Sequence, residues 1–178
     1  EFEQFGVPNS GAGDILSYRI GNLLLGNAFN SASIEILYGN TDFEFLNSTQ
    51  ICITGADMNP KINGIPVKMW EIINISKGDK LILGSSPKNL RAYLSLKNGI
   101  KLGNTLNSKS THSIFDLGGM RLSAGDIIHS SFINDESSIK EINFLKKIPN
   151  HLEREKVFFA TKGPEFDLLS DKSKMDIE

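Results

Sequence analysis

The stretch Ser33-Ile34-Glu35-Ile36-Leu37-Tyr38-Gly39-Asn40-Thr41-Asp42-Phe43-Glu44-Phe45-Leu46 decides the fold. It holds two short runs of β-branched and aromatic residues, Ser33–Tyr38 and Asp42–Leu46, broken by the turn signal Tyr38-Gly39-Asn40. The same pattern recurs along the chain at Gln50–Thr54, Ile65–Met69, Glu71–Ile75, Lys80–Leu83, Leu90–Leu96, Ile127–Phe132 and Val157–Ala160. Asn63-Gly64, Lys77-Gly78-Asp79 and Ala124-Gly125-Asp126 punctuate these runs. Asn63-Gly64 predicts a tight hairpin, because both central positions tolerate positive φ. Many short strands imply a closed or sandwiched β architecture.

One helix precedes the strands. From Asp14 to Leu25 the apolar residues Ile15, Leu16, Ile20, Leu23 and Leu24 fall on helical spacing, and Gly26-Asn27 tolerates a left-handed C-terminal turn. Asp14 stands where a helix cap belongs, so its carboxylate is read both as an acceptor for backbone N–H groups and as a ligand contact.

The chain has 178 residues, enough to bury a real core, with 39% hydrophobic and 22% charged residues. Nineteen Lys+Arg against 21 Asp+Glu give a formal charge of -2, which argues against nucleic acid as the main partner. The lone Cys52 sits in Ile51-Cys52-Ile53 and reads as a small buried hydrophobe rather than a nucleophile. One cysteine excludes an intramolecular disulfide and fits a reducing, cytoplasmic setting. No apolar stretch is long enough to cross a bilayer as a helix, and no signal-peptide pattern opens the chain.

Two corners carry chemistry. Gly6-Val7-Pro8-Asn9-Ser10-Gly11-Ala12-Gly13-Asp14 and Thr54-Gly55-Ala56-Asp57 each end a turn of small residues on a carboxylate, with a hydroxyl shortly before it. Thr54 and Asp57 lie at the exit of a strand, where binding loops commonly lie, and Gly55 lets a ligand approach the backbone. The competing reading of Asp57 is an Asx turn within its own loop. Ser108-Lys109-Ser110-Thr111 offers hydroxyls and a cation for a carboxylate or phosphate, or else forms a solvated loop. It is not a phosphate-binding loop of the Gly-x-x-x-x-Gly-Lys-Ser/Thr kind, so no nucleotide motif is present. Arg91 and Tyr93 alternate with Ala92 and Leu94 along a strand, and either pair is open to face a cavity. His112, His129 and His151 are scattered, Trp70 reads as core or rim, and neither a catalytic triad nor a metal cluster is visible.

The run from Gly6 to Asp14, Asn22-Leu23-Leu24-Leu25-Gly26-Asn27, Ile34-Glu35-Ile36, Thr54 to Asp57, Arg91-Ala92-Tyr93-Leu94, Ser108 to Thr111 and Gly125-Asp126 also resembles, in order and spacing, a known family. It is the 5-oxoprolinase C-subunit family, also called allophanate hydrolase subunit 2, biotin-dependent carboxyltransferase-like or KipA. The resemblance implies a mainly β fold of cyclophilin-like β-barrels: a first barrel over 1–132 with one early helix and an incomplete N-terminal edge, a polar connection over 133–156, and the beginning of a second barrel over 157–178. It implies ATP-dependent opening of 5-oxo-L-proline to L-glutamate, with a KipI-like B-subunit and an A-subunit as partners and ATP used by the complex. Two other roles come with the family: carboxyl transfer in a biotin-dependent, urea carboxylase-like enzyme, and non-catalytic binding of a kinase inhibitor.

The site expected from residues and resemblance together comprises Asp14 and Asp57 as catalytic carboxylates, with Ser10, Thr54, Gly55, Ser108, Lys109, Ser110, Thr111 and Arg121 binding substrate. Two departures from the family pattern stand out. Lys109 replaces the usual Arg, keeping charge but losing the bidentate fork. Between Gly118-Gly119-Met120 and Arg121-Leu122 the family usually carries a few more residues, including a Gly-Arg pair, so Arg121 matches the family arginine only across a gap.

Overall fold

The structure is a computed structural model describing residue 4, residue 6, 10–112, 117–131, residue 163 and 166–175. The expected polar connection and the strand expected at Val157–Ala160 lie outside these residues.

Helix α1 (Ile15–Leu24) is followed by β1 (Ile34–Leu37), β2 (Thr41–Glu44), β3 (Thr49–Gly55), β4 (Lys61–Ile62), β5 (Ile65–Pro66), β6 (Ile73–Ile75), β7 (Lys80–Leu83) and β8 (Arg91–Leu96). Two short strands, β9 (Thr111–His112) and β10 (Leu117–Gly118), form a separate antiparallel pair. A 3₁₀ turn at Phe166–Leu168 and the short α2 (Asp171–Met175) come last. The fold is thus mainly β with one early helix, as the residue pattern implies.

The larger strands form two antiparallel sheets, ordered β1-β8-β3-β6 and β2-β7-β4-β5. Their facing sides share one core, in which Ile34, Ile36, Ile51, Ile53, Ile75, Ala92 and Leu94 of the first sheet meet Leu81 and Leu83 of the second. Burying each Ile or Leu here stabilises the fold by about 1.5–3 kcal/mol.

Where a strand begins or ends differently from the residue pattern, a local cause is present. Ile65–Met69 shortens to Ile65–Pro66 at the sheet edge, where a proline lacking an N–H is tolerated. The run Glu71–Ile75 starts only at Ile73, because Trp70 sits at φ 64 and gives its N–H to the Ile53 carbonyl at 2.8 Å. Asn63 and Gly64, at φ 51 and 83, make the predicted hairpin between β4 and β5. The run from Ile127 pairs with 99–101 through Lys101 N–H to the His129 carbonyl, Ser131 N–H to the Gly99 carbonyl and an Ile100–Ser130 bridge, without a full ladder. Phe132 lies outside the described residues.

Helix α1 packs on the side of the first sheet that faces away from this core. Strand alternation sends Cys52, Thr54, Tyr93 and Ser95 there, while Ile51, Ile53, Ala92 and Leu94 enter the core. The helix–sheet seam is polar: Thr54 Oγ1 donates to the Ser17 carbonyl at 2.8 Å, and the Ser33 and Ser95 hydroxyls are 2.8 Å apart. Asn22 Nδ2 donates to the Ser31 carbonyl at 2.8 Å. Gly21 permits the close approach, since a Cβ there would lie 2.8 Å from Ser95 Oγ.

Candidate functional site

Asp14 caps α1. Its Oδ1 accepts from Ser17 N at 3.1 Å and its Oδ2 from the Ser17 hydroxyl, which satisfies a backbone donor that the first helical turn leaves open. Its own backbone N–H donates to Tyr93 Oη at 2.7 Å, and Tyr93 donates in turn to Glu35 Oε2 at 2.7 Å. Gly13 N–H donates to the same Glu35 oxygen at 2.8 Å. Glu35 and Tyr93 are direct cross-strand partners of β1 and β8, so sheet register creates this pairing.

Arg91 completes the corner, its Nε 3.3 Å from Glu35 Oε1. Its side chain lies against Gly13 so closely that a Cβ there would sit 2.7 Å from Nε. Gly13 is therefore small because Arg91 occupies the space. Burial raises the Tyr93 phenol well above the ordinary tyrosine range, and its hydrogen bond to Glu35 pushes the same way. Tyr93 thus stays protonated and serves as a hydrogen-bond donor to Glu35. Burial likewise raises Tyr18, whose ring centroid is 6.2 Å from that of Tyr93. Burial pushes the Cys52 thiol up to about 12, which leaves it inert as a nucleophile, in keeping with its place in an apolar run.

The second corner meets the same strand from its backbone side. Gly55 adopts φ +91, and a Cβ there would come within 2.5 Å of the Arg91 carbonyl oxygen. Ala56 N–H donates to that oxygen at 2.7 Å. The glycine serves close approach of two protein segments at this point. Thr54 is fully buried, with its hydroxyl committed to the helix. Asp57 is exposed, and its Oδ1 accepts from Asn59 N–H at 2.8 Å, the Asx turn weighed from the sequence. Arg91 is therefore the common neighbour of both corners, touching Gly13 with its side chain and Gly55-Ala56 with its main chain.

A third group of expected residues comes together at Ser110. Ser10 Oγ lies 3.1 Å from Ser110 Oγ across a sequence separation of 100 residues, and Ser108 Oγ lies 2.5 Å from the same atom. Thr105 and Ser108 exchange backbone hydrogen bonds of 2.8 and 2.9 Å around Leu106-Asn107, both at positive φ, so a tight turn presents the serines. The Ser110 carbonyl accepts Gly119 N–H at 3.0 Å, and Thr111 Oγ1 donates to the Met120 carbonyl at 3.3 Å. The backbone beside Arg121 thus runs against the serine loop. Lys109 is half-buried and Arg121 exposed. From Ser10 to Gly13 the chain spans at most about 11 Å, so the serine group and the Arg91 corner are neighbours.

Among the described residues, no group of three His, Cys, Asp or Glu side chains is placed to hold a metal ion. No described helix is long and apolar enough to cross a membrane. Residue types alone did not single out Glu35 as a site residue. The available signal was a carboxylate in the apolar run Ile34-Glu35-Ile36, directly opposite a tyrosine once the register is known.

Residues 5–177 match the family model described as carboxyltransferase domain, subdomain A and B. The chain belongs to this carboxyltransferase domain family. A relative from Haemophilus influenzae, named as the 5-oxoprolinase C-subunit, is 32% identical over 142 residues, 78% of this chain and 45% of the relative. Urea amidolyase from Lachancea kluyveri is 31% identical over 128 residues, 70% of this chain but 7% of that protein. The crystal structure of Kluyveromyces lactis urea amidolyase superposes with a TM-score of 0.67 at 32% identity, covering 73% of this chain and 8% of that one. This chain therefore spans less than half the length of these carboxyltransferase-family relatives.

Proposed function

We propose that this chain contributes part of the C-subunit of an ATP-dependent 5-oxoprolinase, opening 5-oxo-L-proline to L-glutamate with a KipI-like B-subunit and an A-subunit in the cytoplasm. The observation that carries this reading is the match to the Haemophilus C-subunit, which accounts for 78% of this chain. The family match over 5–177 includes both carboxylate corners. ATP is assigned to the assembled enzyme. The sequence has no phosphate-loop motif.

Ring opening breaks the lactam C–N bond, adds a water oxygen to the carbonyl carbon and delivers a proton to nitrogen. In this proposal the hydroxyls of Ser10, Ser108, Ser110 and Thr111, with Lys109 and Arg121, surround the polar oxygens of the bound molecule and offset charge that develops on them. Asp14 and Asp57 handle the protons, Asp14 from a fixed position and Asp57 from an exposed one. Thr54 and Gly55 act indirectly, by holding α1 and the Arg91 main chain against β3.

The second reading is carboxyl transfer to urea from a biotin carrier, favoured by the comparably close match to urea amidolyases. The test is 5-oxo-L-proline-dependent ATP hydrolysis and glutamate release by the full-length parent reconstituted with its partner subunits. Turnover that requires this protein supports the oxoprolinase reading. Turnover only with urea and carboxybiotin replaces it with carboxyl transfer, and complex formation with neither activity leaves the regulatory role of inhibitor binding.

A further inference from the structure

Among the described residues, Arg91 is the cation fixed at the meeting point of the two corners, and its bonding is lopsided. Its Nε edge faces Glu35 Oε1 at 3.3 Å, and its stem is confined by Gly13. Its terminal Nη groups donate to no side chain or carbonyl among the described residues, and the side chain is 42% exposed. Glu35 is itself held by Tyr93 and Gly13, so the carboxylate that orients Arg91 is anchored at 2.7 and 2.8 Å on its other oxygen. An arginine fixed along one edge with its fork open is pre-organised for a planar oxyanion, because two parallel N–H donors match the spacing of carboxylate oxygens.

We propose that Arg91 recognises the carboxylate of the substrate, which makes the site selective for an anionic lactam over a neutral one. The proposal rests on the oxoprolinase reading and deepens it. 5-Oxo-L-proline is a lactam bearing one carboxylate, whereas urea carries none. Arg91 acts here as a binding and specificity residue, Glu35 and Tyr93 as positioning residues behind it. The serine group leaves the lactam oxygen to hydroxyl donors, so the two ends of the molecule meet different chemistry.

The experiment compares the reconstituted complex containing wild-type, Arg91→Lys or Arg91→Gln chains with two substrates, 5-oxo-L-proline and 2-pyrrolidinone, the same lactam without the carboxylate. Arg91→Gln is expected to raise KM for 5-oxo-L-proline roughly 10- to 100-fold, the loss typical of one charge-assisted contact, with kcat much less changed. Its preference over 2-pyrrolidinone should fall by the same factor. Arg91→Lys keeps a cation beside Glu35 and guards against misfolding. It should show an intermediate loss of preference with unchanged assembly and melting temperature. Wild-type turnover of 5-oxo-L-proline with KM and preference unaltered in both variants overturns the assignment of Arg91 and leaves the oxoprolinase reading intact. A wild-type complex that assembles but does not turn over 5-oxo-L-proline overturns the reading and the assignment together.

Discussion

The Asp14 and Asp57 corners look alike as sequence, and the fold treats them differently. Asp14 is half-buried, caps α1 and is tied through its own N–H to Tyr93 and from there to Glu35. Asp57 is exposed and bonds its own loop two residues on. Both corners nevertheless abut Arg91, one through a side chain and the other through the backbone. The difference teaches that a Gly-rich turn ending in a carboxylate fixes the turn and leaves the rigidity of the carboxylate to the strands behind it. A fixed carboxylate suits orientation, and an exposed one suits exchange with solvent.

The comparison breaks most severely at Gly55. Gly55→Val places a side chain where the Arg91 carbonyl lies and demands a φ that β-branched residues avoid, so a loss of more than about 3 kcal/mol is expected, read as failure to give a cooperative melt. Tyr93→Phe removes the hydroxyl that joins the half-buried Asp14 N–H to Glu35, and with it a hydrogen bond to a carboxylate. Chemical denaturation should show a loss of about 1–3 kcal/mol. Asp14→Ala removes the helix cap and should cost about 1 kcal/mol by the same measurement. Asp57→Ala, by contrast, should change stability by less than about 0.5 kcal/mol, because the carboxylate is exposed and holds only its own turn. A larger cost at Asp57 than at Asp14 would reverse the distinction between the corners.

A third carboxylate sharpens the point through pH. Asp79 accepts Ser76 N–H and Asn63 Nδ2, each at 2.8 Å, and the backbone bond first, then the Asn63 bond, holds its carboxyl below the ordinary value of 3.8. The folded-state pKa is depressed, so its contribution is complete above 3.8 and is lost as acid drives pH down through the folded value. The stability difference between wild type and Asp79→Asn should therefore shrink as pH falls below 3.8, and a difference that grows with acid would contradict this assignment.

Much of this was legible in residue pattern. The β-branched runs located β1, β2, β3, β7 and β8 to within a residue or two, and Asn63-Gly64 located its hairpin, because those signals are local. Strand ends at Pro66 and Ile73 depended on a missing donor and on a bond from Trp70 to a distant carbonyl, which no local window contains. The site divides the same way. Asp14 as a cap and Asp57 as an Asx turn are short-range devices. The meeting of Ser10 with Ser110, and of Glu35 with Tyr93 and Arg91, required the register of strands far apart in the chain. Thr54 shows the converse, a hydroxyl placed for chemistry by its motif and turned by strand alternation into the helix seam.

The most direct test is 5-oxo-L-proline-dependent ATP hydrolysis and glutamate release by the reconstituted complex of the full-length parent, with Asp14→Asn and Asp57→Asn measured beside wild type. Wild-type turnover that needs this protein, with kcat/KM reduced in both variants while the complex still assembles, is the predicted result. Turnover that is unchanged in both variants would contradict a site at these corners, and an assembled wild-type complex inactive on 5-oxo-L-proline would contradict the function itself.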